Sequence, residues 1–339
     1  MSTLAIVIPA FKETYFDKAL NSLANQTLKN FTVYIGNDNS PYDLDSIVAK
    51  YVGRMDIVYK RFDNNIGSKD IVQQWERCIA LTREEPWLWL FSDDDIADSN
   101  CVEAFFALLE SGSPFDVCRF NTSVIDGQGK FAWATPVGPN YESSEEMAYH
   151  LLLSKRGNSM PDHIFSRSVY NSSGGFVHTP YAAGADWATS MLFSRNKGIY
   201  IIPGASISWR NSGLNITSAS SAKKTMIEGY FVFLDWVLTH FGYLKSEQSK
   251  ISYEDIRKAS LISLSNIIQS LYNGIPPQSY RPLHAFFSKH YGFNKFQTGA
   301  YVFGVYTKLL QKKINKNFES AYGVAMRYGS KIKRSLVQS

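Results

Sequence analysis

Three consecutive aspartates, Asp93, Asp94 and Asp95, follow a continuous apolar run at Trp87–Phe91. A run of this kind is typical of a strand that is buried on both faces of a sheet. Three adjacent carboxylates repel one another, and a bound cation lowers that cost. Hard oxygen ligands at the end of a buried strand suit Mg²⁺ or Mn²⁺ together with a substrate phosphate. The alternative is an acidic loop that only caps the next helix.

The segments before this run alternate between strand and helix. Short apolar segments rich in β-branched residues predict strands at Leu4–Pro9, Thr32–Gly36 and Ile57–Arg61, and Trp87–Phe91 is the fourth. Apolar residues at helical spacing predict the intervening helices Tyr15–Gln26, Leu44–Val52 and Ser68–Leu81. This alternation predicts an α/β fold with a mostly parallel sheet flanked by helices.

Polar side chains stand at the carboxyl ends of these predicted strands. The four clusters are Pro9–Glu13, Asp38, Asp63–Gly67 and Asp93–Asp95. The carboxyl ends of parallel strands meet at one edge of a sheet, and ligands bind beyond that edge. The sequence therefore predicts one site that is built from all four clusters.

The second half of the chain changes from a mixed pattern to a helical one. Strands are predicted at Val117–Ser123, Phe131–Ala134, Ile199–Ile202 and Ser206–Trp209, with a helical stretch at Tyr181–Ser194. Beyond residue 221 the predicted helices are Ala222–Phe241, Ser252–Tyr272, Pro282–His290, Phe296–Lys313 and Phe318–Lys333. We therefore predict two domains, residues 1–220 with the sheet and residues 221–339 as an all-helical region.

Composition and charge narrow the class of protein. The 339 residues are 45% hydrophobic, an ordinary value for a globular chain. Three cysteines without a CxxC pair predict a reduced, cytosolic protein, and we expect neither a signal peptide nor a membrane span. Residues 1–215 carry a net charge of −6 and residues 216–339 a net charge of +11. The basic part would suit an anionic surface.

In the order of its motifs the chain resembles the family 2 glycosyltransferases, which have the GT-A fold. Pro9–Glu13 is similar to the nucleotide loop after their first strand, and Ser92–Asp95 is similar to their DxD metal motif. The other matching segments are Gly36–Ser40 (their "DDGS" turn), Asn64–Gly67 ("N-x-G"), Gly184–Trp187 (the catalytic "ED" or "DW" segment) and Trp209–Thr217 (a loop after the sheet). The resemblance covers about residues 4–217. It departs at Asn37, where the family usually has Asp, and in the run after Gly67.

The resemblance implies inverting, metal-dependent transfer of a sugar from a UDP-sugar to a saccharide or lipid-linked saccharide, in the biosynthesis of a bacterial cell-envelope polysaccharide. Asp38 would recognise the base, because a carboxylate accepts a hydrogen bond from the imide N–H of uracil. Asp186 would be the general base, and Mg²⁺ or Mn²⁺ held by Asp93 and Asp95 would neutralise the leaving diphosphate. The remaining expected contacts are Pro9, Phe11, Glu13, Gly67, Lys69, Asp93, Asp94 and Arg210 with the nucleotide sugar, and Trp187 with the acceptor.

Other functions remain open from the sequence. A sugar nucleotidyltransferase would share the layered sheet and acidic metal site, although Ala10–Glu13 lacks the Gly-rich basic loop of that class. A catalytically degenerate assembly subunit is the non-enzymatic alternative. The basic residues between Lys308 and Arg334 favour peripheral contact with the inner face of the cytoplasmic membrane, a solvated helix, or an oligomer contact. No nucleic-acid motif accompanies them.

Overall fold

The computed structural model describes residues 2–112, 114–213, 220–245, 250–271 and 274–311. The chain divides into two compact units, Met1–Ser263 and Leu264–Ser339. The first unit contains the whole sheet and extends past residue 220, where the sequence predicts the domain boundary. A division into two domains at that residue stays a prediction.

One sheet organises the first unit. Its strands in the described residues are β1 (Leu4–Ala10), β2 (Phe31–Asn37), β3 (Asp56–Arg61), β4 (Trp87–Leu90), β5 (Ile96–Ala97), β6 (Val117–Asp126), β7 (Phe131–Ala134), β8 (Tyr141–Glu142), β9 (His163–Ser166) and β10 (Ile199–Asn211). Their order is β3-β2-β1-β4-β9-β6-β10-β5, with β7 on β6 and β8 on β10. The first four in this order are mutually parallel, as predicted. Because β9 runs antiparallel to both neighbours, the sheet is mixed, but β6 and β10 keep the direction of β4.

Helices connect the strands and continue to the end of the described chain. They are α1 (Phe16–Ala24), α2 (Leu44–Ala49), α3 (Ile71–Ile79), α4 (Cys101–Glu110), α5 (Ser144–Leu152), α6 (Arg167–Ser173), α7 (Ala185–Phe193), α8 (Ser220–His240), α9 (Tyr253–Ser270), α10 (Tyr280–Tyr291) and α11 (295–311). Short 3₁₀ turns at Met160–Asp162 and Pro180–Ala182 precede β9 and α7. The predicted helix at Phe318–Lys333 lies outside the described residues.

The core of the first unit lies on the central strands. Every residue of β4 is buried, and Phe91, the last residue of the apolar run, is also buried. Trp89 packs edge-on against Phe91 at a centroid distance of 5.3 Å, and a second ring, Phe120 of β6, lies equally close. The strand predicted at Trp87–Phe91 is therefore confirmed. It brings the acidic triplet to the edge of the sheet directly from a rigid core.

Two parts of the sheet differ from the prediction. The four residues His163–Ser166 form β9 between β4 and β6, although only two of them are apolar and their pattern predicts no strand. The two strands predicted at Ile199–Ile202 and Ser206–Trp209 are one strand, β10, whose register shifts between Ile201 and Ser206. Pro203 has no N–H to pair and Gly204 has a φ of 76°, so the irregularity falls where the composition suggests a break.

The described residues of the second unit are mainly helical. Within it, the hydroxyls of Ser265 and Tyr301 are 2.6 Å apart, and His284 Nδ1 lies 3.1 Å from Thr298 Oγ1. Leu283 and Phe287 of α10 are fully buried. In the described part of the chain, no helix is both long enough and apolar enough to cross a membrane.

Candidate active site

The acidic loop after β4 is closed by the loop after β1. Lys12 Nζ lies 3.3 Å from Asp93 Oδ1 and also contacts Asp94 Oδ2. The backbone N–H groups of Phe11 and Lys12 donate to Asp93 Oδ2 at 2.9 and 2.8 Å. Burial raises the pKa of Asp93, and the positive charge of Lys12 opposes that rise. Asp93 and Asp94 therefore both contact one cation, the ammonium of Lys12.

The third aspartate, Asp95, is engaged inside the protein. Its Oδ2 accepts from the hydroxyl of Ser92 at 2.7 Å, and its Oδ1 accepts from the backbone N–H of Arg210 at 2.7 Å. Burial, and then the charge of Asp94, raises the pKa of Asp95 to about 7. To ligate a metal, Asp95 would have to exchange these hydrogen bonds, so its predicted role as a ligand stays a prediction.

Arg210 fixes the backbone around the acidic loop. Its side chain is fully buried, its Nε donates to the carbonyl of Asp94 at 2.8 Å, and its Nη1 donates to the carbonyl of Asp126 at 3.1 Å. The guanidinium carbon lies 4.4 Å from the ring centroid of Tyr15. The structure gives Arg210 a positioning function in this loop, whereas its predicted contact with the diphosphate stays a prediction.

Asp38 joins the ends of β2 and β3. The carboxylate is buried, Oδ1 accepts from the backbone N–H of Ile66 at 2.9 Å, and Oδ2 accepts from that of Gly67 at 2.9 Å. The guanidinium of Arg77 also contacts Oδ1. A Cβ at Gly67 would lie 2.5 Å from Asp38 Oδ2, so only glycine permits this approach. The predicted turn and the predicted "N-x-G" segment therefore meet through one carboxylate.

Asn37, the departure from the family pattern, closes the turn from within. Its Nδ2 donates to the hydroxyl of Tyr59 at 2.7 Å, and its Oδ1 accepts from the N–H of Ser40 at 2.8 Å. The hydroxyl of Ser40 in turn donates to the carbonyl of Phe11 at 2.6 Å. The side-chain amide of Asn37 therefore uses both its N–H and its oxygen within the turn. The hydrogen bond from Ser40 to Phe11 links the turn to the loop after β1.

The other predicted nucleotide contacts lie around this edge with their side chains accessible. Pro9 is half-buried at the end of β1, Phe11 is 37% exposed, and Glu13 is exposed. Lys69 is exposed as well, and among the described residues no ion pair holds its ammonium. These side chains are free to meet a ligand, and their contacts with it stay predictions.

A strained segment leads into the helix that carries Asp186. Tyr181 and Ala182 have φ values of 58° and 52°, in the left-handed region, and Gly184 follows at 72° as the residue before α7. Consecutive non-glycine residues in this region cost energy and are typical of functional sites. Helix α8 packs on the segment, and a Cβ at Gly184 would lie 2.6 Å from Phe233 Cγ. The segment is therefore held in one conformation.

Asp186 lies in the first turn of α7 and is half-buried. Burial is the main cause that raises the pKa of Asp186 to about 7, and the charge of Asp162 raises it further. The backbone N–H of Trp187 and the ring of His163 act in the opposite direction and lower the pKa. Burial and the charge of Asp186 together raise the pKa of Tyr230 on α8. A carboxylate with a pKa near the working pH is suited to accept a proton in catalysis.

A buried network of Asp162, His163 and Arg119 contacts α7 through Ser190. His163 Nδ1 lies 2.5 Å from Asp162 Oδ1, and Arg119 Nη2 lies 3.8 Å from Asp162 Oδ2. Burial disfavours the charge of Asp162, but His163, Arg119 and a hydrogen bond from Thr122 hold its pKa below the ordinary value. The hydroxyl of Ser190 lies 3.3 Å from His163 Nε2 and donates to the carbonyl of Asp186 at 2.8 Å.

The register of β9 places this network beside the acidic loop. Ile164 pairs with Trp89, so β9 begins where β4 ends, and Trp89 Nε1 donates to the carbonyl of Pro161 at 2.7 Å. Asp162 and His163 therefore stand at the carboxyl edge of the sheet, together with the polar clusters of β1, β2 and β4. Trp187, next to Asp186, is half-buried and packs edge-on against Phe233 at 6.0 Å. Its contact with an acceptor stays a prediction.

The acidic loop provides some, but not all, of the ligands that one divalent cation needs. The described residues contain no cluster of three or more metal-ligating side chains. Asp93 and Asp94 nevertheless present oxygens to the same cation, the ammonium of Lys12. Mg²⁺ and similar ions are commonly bound by one or two carboxylates together with substrate phosphates. A divalent ion with a diphosphate thus fits these two residues, provided that Lys12 moves.

Several residues of the site carry no signal that the sequence alone reveals. Lys12 and Arg77 are ordinary charged residues by pattern, and their roles depend on carboxylates 81 and 39 positions away along the chain. For Asp162 and His163 the one available signal is that two adjacent titratable residues precede a short apolar pair. The sequence suggests a structural role for His163, and its burial agrees with one.

The carboxyl edge of the sheet gathers the loop after β1, the turn after β2 and the acidic loop after β4, which is the arrangement expected of the GT-A fold. The profile of the family described as "Glycosyl transferase family 2" matches residues 5–174, which is half of the chain. The chain therefore belongs to that family and is a glycosyltransferase. The family assignment therefore replaces the alternative interpretation of the chain as a sugar nucleotidyltransferase.

Solved structures that are similar to this chain include two of TarS and one of a mannosyltransferase. S. aureus TarS 1–349 in complex with UDP-GlcNAc has a TM-score of 0.57 and 14% identity, over 93% of this chain and 92% of that chain. The same TarS fragment with UDP has a TM-score of 0.55 at 14% identity and equal coverage. The mannosyltransferase PcManGT from Pyrobaculum calidifontis, with GDP-Man and Mn²⁺, has a TM-score of 0.48 and 10% identity, over 92% of this chain and 88% of that chain. The TarS matches confirm the GT-A fold with a helical C-terminal region. A comparison with the sequences of curated proteins found no match.

Proposed function

We propose that this glycosyltransferase transfers a sugar from a UDP-sugar to a saccharide or lipid-linked saccharide, with inversion at the anomeric carbon and with a divalent metal ion. The observation that carries the proposal is the closure of the acidic loop by the loop after β1, in which a cation already sits between Asp93 and Asp94. The complexes of TarS with UDP-GlcNAc and UDP support a uridine donor.

Donor recognition is assigned to the turn after β2. Asp38 accepts one backbone hydrogen bond on each oxygen and contacts Arg77, and each carboxylate oxygen has two acceptor sites. Oδ2 thus keeps capacity for the imide N–H of uracil. Phe11, Glu13 and Lys69 are exposed beside the turn and would contact the ribose and the diphosphate. Cytosine has no imide N–H, so a cytidine donor is disfavoured.

The diphosphate is assigned to the acidic loop. Asp93 and Asp94 would hold Mg²⁺ or Mn²⁺, which supplies positive charge for the leaving diphosphate. Arg210 keeps the carbonyl of Asp94 in place, and Asp95 ties the loop to β10. These two residues hold the loop rigid, so Asp93 and Asp94 need little rearrangement when the donor binds.

Asp186 is assigned as the base. The acceptor oxygen attacks the anomeric carbon, the bond from that carbon to the diphosphate oxygen breaks, and the acceptor proton passes to the Asp186 carboxylate. Attack on the face opposite the leaving group inverts the centre. With a pKa of about 7, Asp186 is substantially ionised at neutral pH and still basic enough to take the proton. Trp187 is the side chain that we expect to contact the acceptor.

The first experiment is calorimetric binding of UDP, GDP and CMP to the wild-type protein, each with and without Mn²⁺. We expect UDP to bind in a metal-dependent manner and more tightly than GDP or CMP. Release of UDP from a panel of UDP-sugars with saccharide acceptors then identifies the donor. Absence of nucleotide binding under every condition contradicts the proposal and favours a degenerate assembly subunit.

The base assignment is tested with Asp186→Asn and a matched control, Asp45→Asn. Asp45 also occupies the first turn of a helix, but it is exposed on α2 and pairs with Arg61 at 3.6 Å. Asp186→Asn should abolish transfer and retain UDP binding, whereas Asp45→Asn should retain both. Loss of UDP binding in Asp186→Asn would place this residue in donor binding rather than proton transfer. Peripheral membrane contact through the basic C-terminal residues stays a prediction, and residues 312–339 lie outside the described chain.

A further inference from the structure

Lys12 contacts the two carboxylates, Asp93 and Asp94, to which the proposed function assigns the metal ion. Its Nζ is 3.3 Å from Asp93 Oδ1 and in contact with Asp94 Oδ2, and the two carboxylates are 7% and 6% exposed. The lysine side chain is 30% exposed, so it reaches into the site from the surface. Among the described residues, no other Lys or Arg side chain forms an ion pair with Asp93 or Asp94.

The same loop also holds Asp93 through its backbone. The N–H groups of Phe11 and Lys12 both donate to Asp93 Oδ2, which leaves Oδ1 to the ammonium. This division matters because the backbone contacts do not depend on the lysine side chain. If the ammonium leaves, Asp93 remains oriented and Oδ1 becomes available to another cation.

Two cations cannot share these oxygens. A divalent ion bound between Asp93 and Asp94 would lie next to the Lys12 ammonium, and like charges at that separation repel strongly where the surroundings are poorly solvated. Without any cation, the two buried carboxylates would face each other uncompensated. The geometry therefore makes the ammonium and the metal ion alternatives.

We propose that Lys12 is the resident cation of the donor site, which neutralises Asp93 and Asp94 in the empty enzyme and is displaced when a divalent metal ion binds. The inference rests on the metal dependence in the proposed function and adds a competitor for the metal that is part of the chain. Metal binding without donor is weakened by this competition. The four-carbon stem of lysine lets the ammonium swing out while the backbone of the loop stays attached to Asp93.

Binding of Mn²⁺ alone tests the competition. Lys12→Met keeps the length and apolar character of the stem and removes the charge, so it should bind Mn²⁺ more tightly than the wild type. The expected gain is about ten-fold or more, because a hydrogen bond to a charged group of ordinary strength is worth that factor. Lys12→Arg retains a cation and should stay close to the wild type. The readout is the free Mn²⁺ signal in electron paramagnetic resonance.

The matched control is Lys50→Met, which removes an exposed ammonium that pairs with Asp17 at 3.2 Å on the protein surface. It should leave Mn²⁺ affinity unchanged. Equal or weaker Mn²⁺ binding by Lys12→Met, or binding by neither protein, overturns the inference. Because no nucleotide or sugar is present, these results are independent of whether UDP-sugar transfer is found.

A second measurement uses the wild-type protein and does not depend on how the variants fold. Reductive methylation with mass-spectrometric detection reports the accessibility of each lysine. Addition of Mn²⁺ should increase the methylation of Lys12 at least several-fold and leave Lys50 unchanged. An unchanged Lys12 signal at a Mn²⁺ concentration that saturates the protein would show that the ammonium stays in place, which contradicts displacement.

Discussion

The substitution Asp186→Asn should stabilise the folded protein at alkaline pH. Burial raises the pKa of Asp186 from an ordinary value of 3.8 to about 7. Between these two values the folded state binds the proton and the unfolded state does not, so stability falls as the pH rises through this window. Above pH 7 the full cost of the buried charge is present. Asparagine keeps the shape and one acceptor oxygen but carries no charge.

The size of the effect follows from the same shift. A rise from 3.8 to about 7 corresponds to an upper limit of about 4 kcal/mol at 1.36 kcal/mol per pH unit. Because Asp186 is half-buried, solvent screens part of this cost, and we expect a gain of about 2 kcal/mol at pH 8. At pH 4 the gain should be close to zero.

Urea unfolding at pH 4 and pH 8 measures this difference, and Asp162→Asn is the control of opposite sign. Asp162 is ionised and paired with the guanidinium of Arg119, so its neutralisation leaves a buried cation unpaired and should cost about 3 kcal/mol. An Asp186→Asn protein that is no more stable than the wild type at pH 8 would refute the argument. It would show that the Asp186 charge is solvated or paired, and the assignment as a base with a pKa near 7 would lose its physical ground.

Three further predictions concern the same edge of the sheet. The kcat for sugar transfer, measured at saturating donor, should fall about ten-fold per pH unit below pH 7, because only ionised Asp186 accepts the proton; a level profile down to pH 5 would contradict this. Gly184→Ala should lower the unfolding free energy by about 3 kcal/mol, because φ is 72° and the new Cβ meets Phe233. The control Gly174→Ala, with a φ of 76° and open space around the new Cβ, should lower it by about 1 kcal/mol in the same urea assay. Arg210→Lys keeps the charge but loses hydrogen bonds to two carbonyls, so chemical unfolding should show a loss of about 2 kcal/mol; an unchanged stability would argue against its positioning function.

The part of the fold that follows from local pattern could be predicted from the sequence. Leu4–Ala10 and Trp87–Leu90 are apolar throughout, and all of their residues except the half-buried Pro9 are buried, so their place at the centre of the sheet follows from composition. The convergence of the polar clusters follows from the parallel direction of β1, β2 and β4. These inferences need only the period of a strand and the direction of the chain.

What could not be predicted depends on partners far apart in the sequence. β9 has only four residues and exists because β4 and β6 pair with it on both sides. The orientation of Asp95 is set by Arg210, which lies 115 positions later. The cation beside Asp93 and Asp94 is Lys12, a loop residue without periodicity. No local pattern carries these contacts, because each is decided by packing of the folded chain.

These contacts explain how three adjacent carboxylates are tolerated at a buried position. Asp93 and Asp94 share the charge of Lys12, and Asp95 is turned to the backbone N–H of Arg210 and the hydroxyl of Ser92. With its pKa raised to about 7, Asp95 is partly protonated at neutral pH, which removes part of the repulsion within the triplet. In this structure the triplet therefore divides into two carboxylates that contact the ammonium of Lys12 and one carboxyl group that accepts hydrogen bonds from Ser92 and from β10. The positive charge of Lys12 lies at the first two of these carboxylates.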